Sequence, residues 1–123
     1  MGLDIFFFEQ AKSAPDDGRY TRVGYFRKVN PLLNWVDKHV GLVHNEVLSE
    51  VTKAHLQALL SDLQSLTPDN CGAVYPTTDG CFYGDTDYGE TYWQDVRAVA
   101  RWVKETLDTF DFERDRLMFY AWW

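Results

Sequence analysis

The sequence predicts a single α+β domain spanning residues 1–123, built as one mixed or antiparallel sheet with about three helices packed on it. Apolar residues recur at helical spacing in three segments, and runs rich in aromatic and β-branched residues separate them. A chain of 123 residues is also the size of one ordinary domain. The predicted order ββαβαβαβ, with short connections, favours helices layered on one sheet.

The N-terminal segments predict two strands. Residues 3–8, Leu-Asp-Ile-Phe-Phe-Phe, are rich in aromatic residues and are expected to form a first strand that is buried on both faces. Residues 13–18 contain Pro, two Asp and Gly, which is typical of a turn. Residues 20–27 then predict a second strand, or a strand with a bulge at Gly24.

The next segments predict a helix and then a strand. Asn30 is expected to cap the helix, because its side chain can accept from free backbone amides, and Pro31 suits the first helical position. The helix is predicted over residues 31–40 and ends before Gly41. Residues 43–51 are predicted to form a strand.

The second half predicts two helices and two strands. Thr52 is expected to cap a helix whose leucine stripe runs to Leu66. A loop follows, with a short strand predicted at 81–83. The longest helix is predicted over 90–110, and the aromatic segment 117–123 is predicted to be a buried closing strand.

The formal net charge of −7 is unevenly distributed. Residues 1–60 hold seven acidic and seven basic side chains, whereas residues 61–123 hold twelve acidic and five basic ones. No Lys or Arg stands between Lys53 and Arg97. Carboxylates without counter-ions repel one another, and a cationic partner relieves that repulsion. The pattern favours an acidic binding face, with a solvated surface that has no partner as the alternative.

The N-terminus has no basic region before its short apolar run, so we expect no signal peptide. No stretch approaches the roughly 20 apolar residues that a membrane span needs. We therefore expect a soluble, cytoplasmic protein in which Cys71 and Cys81 remain reduced thiols.

The densest polar cluster, Asp85-Thr-Asp87-Tyr-Gly-Glu90, offers hard oxygen ligands for Mg²⁺ or Ca²⁺. It fails as a calcium loop because glycine stands at the fifth place and Val96 at the twelfth. Asp87 and Glu90 are more simply the cap and the first-turn acid of the long helix. No nucleophile, phosphate-loop or dinucleotide motif is present, so we expect no enzyme activity, metal or cofactor.

The acidic segment predicts a surface that mimics DNA. Alternate residues of an extended chain lie about 7 Å apart on one face, and DNA carries one charge per about 3.4 Å of axis on each strand. Carboxylates at such intervals would bind the cationic surface of a DNA-binding protein, and rigid tyrosines would add contact area. The predicted partner-binding residues are Asp69, Asp79, Asp85, Asp87, Glu90, Asp95, Tyr83 and Tyr88, with Asp108, Asp111 and Glu113 as outlying members.

The chain resembles small DNA-mimic proteins from Neisseria that engage the nucleoid protein HU. The resemblance is carried by the Met1-Gly-Leu-Asp4 opening, by the segment 81–90 and by the Phe119-Tyr-Ala-Trp-Trp123 ending. The opening and the segment 25–30 also resemble uncharacterised phage and prophage proteins. The likeness to the mimics implies competition with DNA for HU, although the neutral first half departs from the stronger acidity of such proteins.

These observations predict a monomer that binds a basic DNA-binding protein such as HU, without binding nucleic acid or membrane directly. Two alternatives remain open at this point. One is a prophage-encoded inhibitor that blocks a host enzyme by shape complementarity. The other is a metal-dependent hydrolase that uses Asp85 and Asp87.

Overall fold

Four antiparallel strands form one sheet in the part of the chain that the structure describes. A computed structural model describes residues 2–13, 19–80 and 83–123. The strands are β1 (Asp4–Ala11), β2 (Thr21–Arg27), β3 (Ser49–Val51) and β4 (Asp115–Trp122), in the spatial order β2-β1-β4-β3. The α+β prediction is confirmed, and the sheet is antiparallel.

Helices cover one face of this sheet. They are α1 (Asn30–His39), α2 (Lys53–Ser65), α3 (Cys71–Val74) and α4 (Glu90–Thr109). Side chains alternate between the two faces of a strand, and the residues of β1 and β4 that point toward the helices are the fully buried ones. They are Ile5, Phe7, Leu117, Phe119 and Ala121, and they join α1, α2 and α4 in one hydrophobic core.

Trp102 of α4 fixes the long helix against β2. Its indole nitrogen donates to the carbonyl of Val23 at 2.9 Å, and its ring lies 4.3 Å from that of Phe7 between centroids. The pairing of β1 with β2 shifts register at Phe7, opposite Gly24, so the predicted bulge is confirmed. A Cβ on Gly24 would lie 2.7 Å from Trp102, so only glycine leaves room for the indole.

Two predictions for the first half were wrong. The first strand is not buried on both faces, because Phe6 and Phe8 are only partly buried on the face away from the helices. The segment 43–51 forms a strand only at Ser49–Val51, where Val51 pairs with Leu117. The helix predicted over 31–40 is confirmed as α1.

One of the three predicted helix caps is present in the structure, and two are not. Thr52 caps α2 as predicted, with its hydroxyl accepting from the backbone amide of His55. Asn30 does not cap α1 with its side chain, and Val29 holds the cap position. Asp87 does not cap α4 either, since Gly89 does, although Glu90 is a first-turn acid as predicted.

In the second half, the predicted long helix and closing strand are confirmed as α4 and β4. The segment predicted as a loop after α2 contains the one-turn helix α3, which raises the helix count above three. Of the short strand predicted at 81–83, Cys81 and Phe82 lie outside the described residues, and Tyr83 lies in no strand. No helix in the described ranges is long and apolar enough to cross a membrane.

Candidate functional site

A small cleft brings part of the acidic segment together with the start of α1. Its cavity is about 20 Å³. Its walls come from the residues just before and at the start of α1, from the loop between α3 and α4, and from the first two turns of α4. We call it the acidic cleft, and the residues that define it are Lys28, Asn30, Tyr75, Asp85, Asp87 and Asp95.

Asn30 holds the loop that carries Asp85. The side chain is 1% exposed, and its carbonyl oxygen accepts from the backbone amide of Thr78 at 2.9 Å. Its amide nitrogen donates to the backbone carbonyls of Tyr83, at 3.3 Å, and Asp85, at 3.0 Å. One buried amide therefore satisfies three backbone groups of the loop, which fixes the loop on the first turn of α1.

The same loop is also fixed to itself and to α4. The Thr77 hydroxyl donates to the carbonyl of Thr86 at 3.0 Å, and the Thr77 amide donates to the hydroxyl of Tyr88 at 3.2 Å. The Tyr88 ring packs edge-on against Tyr92 of α4, with 4.9 Å between ring centroids. Asp87 is oriented by its backbone amide, which donates to the Asp85 carboxylate at 3.3 Å. These contacts hold the loop backbone that carries Asp85 and Asp87 in one conformation.

Two residues with positive φ lie at or beside the cleft. Lys28 has φ 59°, a left-handed conformation that is uncommon for a residue with a side chain. Gly84 has φ 95°, and a Cβ there would lie 3.1 Å from the carbonyl oxygen of Lys28. A side chain at position 84 would therefore crowd the turn at Lys28, and Lys28 also lines the cleft.

Two residues that line the cleft, Tyr75 just after α3 and Asp95 in α4, have buried or half-buried polar groups. The hydroxyl of Tyr75 is fully buried and has no hydrogen-bond partner among the described residues. Burial raises the pKa of Tyr75, and the charge of Asp95 raises it further. Burial also raises the pKa of the half-buried Asp95. The Tyr92 hydroxyl, in contrast, donates to the carbonyl of Tyr75 at 2.7 Å.

The eight predicted partner-binding residues do not all meet. Asp85, Asp87 and Asp95 share the acidic cleft. Asp79 and Tyr83 line a neighbouring cavity of about 220 Å³, where the second acid is Asp37. The remaining three, Asp69, Glu90 and Tyr88, are exposed, and none of them lines either cavity.

No family model, curated protein or solved structure matches this chain. Among residues 2–13, 19–80 and 83–123, no group of three or more His, Cys, Asp or Glu side chains is arranged to hold a metal ion.

Three residues of the cleft were not predicted from the sequence. Asn30 was expected to cap a helix, Lys28 was assigned no role, and Tyr75 lay in a segment predicted as a loop. No local pattern marks any of them, because each reaches the cleft through contacts that are distant in sequence. The Asn30 contacts alone span 48 to 55 positions.

The outer face of the sheet carries a second unpredicted feature. Its central strands present aromatic side chains away from the helices, with the rings of Phe6 and Phe8 stacked at 5.8 Å and Tyr120 within 6.2 Å of both. Tyr25 and Trp122 at its margins are exposed. The C-terminal aromatic segment 117–123 therefore contributes to the core from only one face of β4. Phe119 on that face is buried, whereas Trp122 is 52% exposed.

Proposed function

We propose that the protein is a DNA mimic that binds a basic DNA-binding protein, of the type of the nucleoid protein HU, and competes with DNA for it. The observation that carries the proposal is the convergence of Asp85, Asp87 and Asp95 on one cleft, where Lys28 is the single basic residue among the described lining residues. The formal charge of this group is −2, from three carboxylates and one ammonium. A cationic surface is the complement of such a site.

The arrangement of the acids supports mimicry in particular. Asp85 and Asp87 lie two residues apart on a loop that Asn30 holds in place. A fixed array of anionic oxygens needs little ordering when a partner binds, as is true of the phosphates of a duplex. Lysines and arginines that normally bind phosphates would release the same kind of counterions on binding this face.

Aromatic contact area adjoins the acids. Tyr88 is 41% exposed, and its ring is held by Tyr92 and by the amide of Thr77. A rigid, partly exposed tyrosine loses little conformational freedom on binding, which is why tyrosines are common at interface centres. Under this proposal Tyr88 contacts the partner beside the acidic cleft, and the protein acts in the cytoplasm, where a nucleoid protein is found.

The proposal is tested by competition between the protein and a short labelled DNA duplex for purified HU. We expect the protein to displace the duplex, with an affinity that falls steeply as salt is raised. The triple variant Asp85→Asn, Asp87→Asn, Asp95→Asn should lose about tenfold or more in affinity, since charged contacts at a desolvated interface each contribute over 1 kcal/mol.

A charge-matched control separates position from net charge. The variant Glu46→Gln, Glu50→Gln, Glu105→Gln removes three acids that do not line the cleft, so both triple variants change the formal charge from −7 to −4. We expect the control to compete nearly as well as the wild type. An equal loss of affinity for HU in both triple variants would contradict the proposal. So would an affinity that does not change with salt concentration. The second result would instead favour inhibition by shape.

A further inference from the structure

The outer face of the sheet, which points away from the helices, carries a continuous layer of aromatic rings. Alternation along β1 places Phe6 and Phe8 on this face, and the strand register places Tyr25 and Tyr120 on either side of Phe6. The rings of Phe6 and Phe8 lie at 13° to each other. The ring centroids of Tyr25 and Tyr120 lie 5.1 Å and 6.1 Å from that of Phe6. Each of the four rings keeps part of its surface accessible to solvent, as is typical of a binding surface.

An arginine already lies against this layer. Arg22 of β2 is opposite Phe8 in the strand register, and its guanidinium carbon lies 5.6 Å from the centre of the Tyr25 ring. A cation at this distance is attracted to the face of the ring. Arg22 is exposed, and it forms no ion pair with any carboxylate of the described residues. Its guanidinium is therefore available to an anion that binds beside the rings.

The outer face differs in charge from the chain as a whole. Three arginines and two acids of the described strands lie on it, which gives a formal charge of +1, whereas the whole chain carries −7. They are Arg22, Arg27, Arg116, Asp4 and Glu50. Both acids form ion pairs with arginines of the same face, at 2.8 Å and 3.7 Å. The complement of this face is therefore an anionic ligand that has flat rings of its own.

The dimensions of the face favour a narrow ligand over a second copy of the chain. β1 and β4 have eight residues each, or about 27 Å at about 3.4 Å per residue. Together with β2, strands about 4.8 Å apart give a flat area of roughly 400 Å². Each partner in a stable protein complex usually buries about 800 Å². Peptides that pair with sheets add at an edge, so an extended strand with its own rings fits the face better.

We propose that the outer face binds single-stranded nucleic acid, with bases stacked on Phe6, Phe8 and Tyr120. Arg22 contacts a phosphate, which a guanidinium binds with two parallel hydrogen bonds. Exposed bases stack on aromatic side chains, whereas the bases of a duplex are already stacked on one another. This inference goes beyond the proposed function and uses the face of the sheet opposite the helices. It differs from the expectation of no direct nucleic acid binding, which followed from the net charge of the chain.

The test measures binding of fluorescein-labelled oligothymidylate and oligouridylate of about eight nucleotides by fluorescence anisotropy. We expect saturable binding of at least one of them, and binding of a labelled duplex that is about tenfold weaker or more. Stacking does not depend on counterions, so the affinity should change less with salt than the affinity for HU. Phe6→Leu and Phe8→Leu should each weaken binding about fivefold or more, because each removes one stacking surface.

Matched controls separate the outer face from general effects. Phe112→Leu removes a half-buried ring that lies outside the sheet, and it should leave binding unchanged. Arg22→Gln and Arg101→Gln both replace an exposed arginine and change the formal charge from −7 to −8. Only Arg22→Gln should weaken binding. Because Arg22 is exposed, this pair keeps the test decisive if a phenylalanine variant does not fold, which thermal unfolding checks.

Several outcomes would overturn the inference. They are no saturable binding of either oligonucleotide, equal affinity for the duplex, and equal losses in Arg22→Gln and Arg101→Gln. Sedimentation equilibrium adds another: a dimer that dissociates in Phe8→Leu would show that a second copy occupies the face. Competition for HU should be unchanged in Phe8→Leu, because the acidic cleft lies among the helices. Failure of either proposal therefore leaves the other standing.

Discussion

The side-chain carbonyl of Asn30 accepts a hydrogen bond from the backbone amide of Thr78 at 2.9 Å, across 48 positions of sequence. Asn30 is nearly inaccessible to solvent, so this bond and the two that its amide nitrogen donates are shielded from water. Asn30 therefore makes three of the hydrogen bonds that attach the acidic loop to α1, and Asn34 adds one to the carbonyl of Pro76. The position of the loop, and with it the shape of the acidic cleft, depends most on Asn30.

Replacing Asn30 with Ala should destabilise the protein and release the loop. Three backbone groups lose their partner at once, and we expect a loss of about 2 to 4 kcal/mol in the free energy of unfolding. Urea denaturation measures the loss, and amide hydrogen exchange at Thr78 measures the release. Asn34→Ala is the matched control, since Asn34 makes a single bond, to the carbonyl of Pro76 at 3.2 Å. A control as damaging as Asn30→Ala would contradict the argument.

The elements with strong periodicity were predictable from the sequence. The stripe Tyr92, Val96, Val99 and Val103 lies on one side of a helix, and all four residues are buried in α4. The cap at Thr52 was equally local, because its partner His55 is three residues away. Such features depend on residues that are close in sequence, so the sequence alone is enough to predict the structure they adopt.

The wrong predictions have a common physical cause. In each case, contacts between segments that are distant in sequence determined the local structure or burial. The run Phe6-Phe7-Phe8 carries no polar alternation, so nothing in it indicates that only Phe7 is covered by helices. Asn30 followed by Pro31 has the composition of a helix start. The side-chain amide of Asn30 nevertheless bonds to the backbone of a loop 48 residues further along the chain instead of capping the helix. Which acids of the acidic segment share a cleft also depends on that loop.

Gly24→Ala should disrupt the contact between β2 and α4. The added Cβ would lie 2.7 Å from Trp102, whose ring is fixed by its bond to Val23 and by Phe7. Because the indole has nowhere to move, we expect a loss of about 1 to 3 kcal/mol, measured by thermal or urea unfolding. Gly41→Ala is the control, because a Cβ there meets nothing within 4 Å. The idea is wrong if the two variants unfold at the same midpoint.

The two tyrosines of the cleft should respond oppositely to loss of their hydroxyls. Tyr75→Phe removes a buried group that has no partner, so we expect stability unchanged or raised by up to about 1 kcal/mol. Tyr92→Phe leaves the buried carbonyl of Tyr75 without its donor at 2.7 Å, and we expect a loss of about 1 to 2 kcal/mol. Urea unfolding of both variants checks the contrast, which fails if Tyr75→Phe is the more damaging change.

The pH dependence of stability should reveal the cluster at the edge of the outer face. The hydroxyl of Tyr25 donates to the Asp4 carboxylate at 2.6 Å, and the guanidinium of Arg27 donates to the same oxygen at 2.8 Å. The bond from Tyr25 is the largest influence and lowers the pKa of Asp4; burial comes next and raises it, and the bond and charge of Arg27 lower it, so that the pKa lies below its ordinary value of 3.8.

A lowered pKa means that the folded protein favours the charged form of Asp4. The stabilisation is therefore fully present above pH 3.8 and is lost as the pH falls through the lower pKa of the folded state. We expect Asp4→Asn to be less stable than the wild type near neutral pH, with a difference that shrinks in acid. Tyr25→Phe should reduce this difference, because it removes the largest cause of the shift. Chemical unfolding from about pH 6 to about pH 2 tests the prediction, and a wild-type advantage that persists undiminished in acid would show that the Asp4 charge does not supply it.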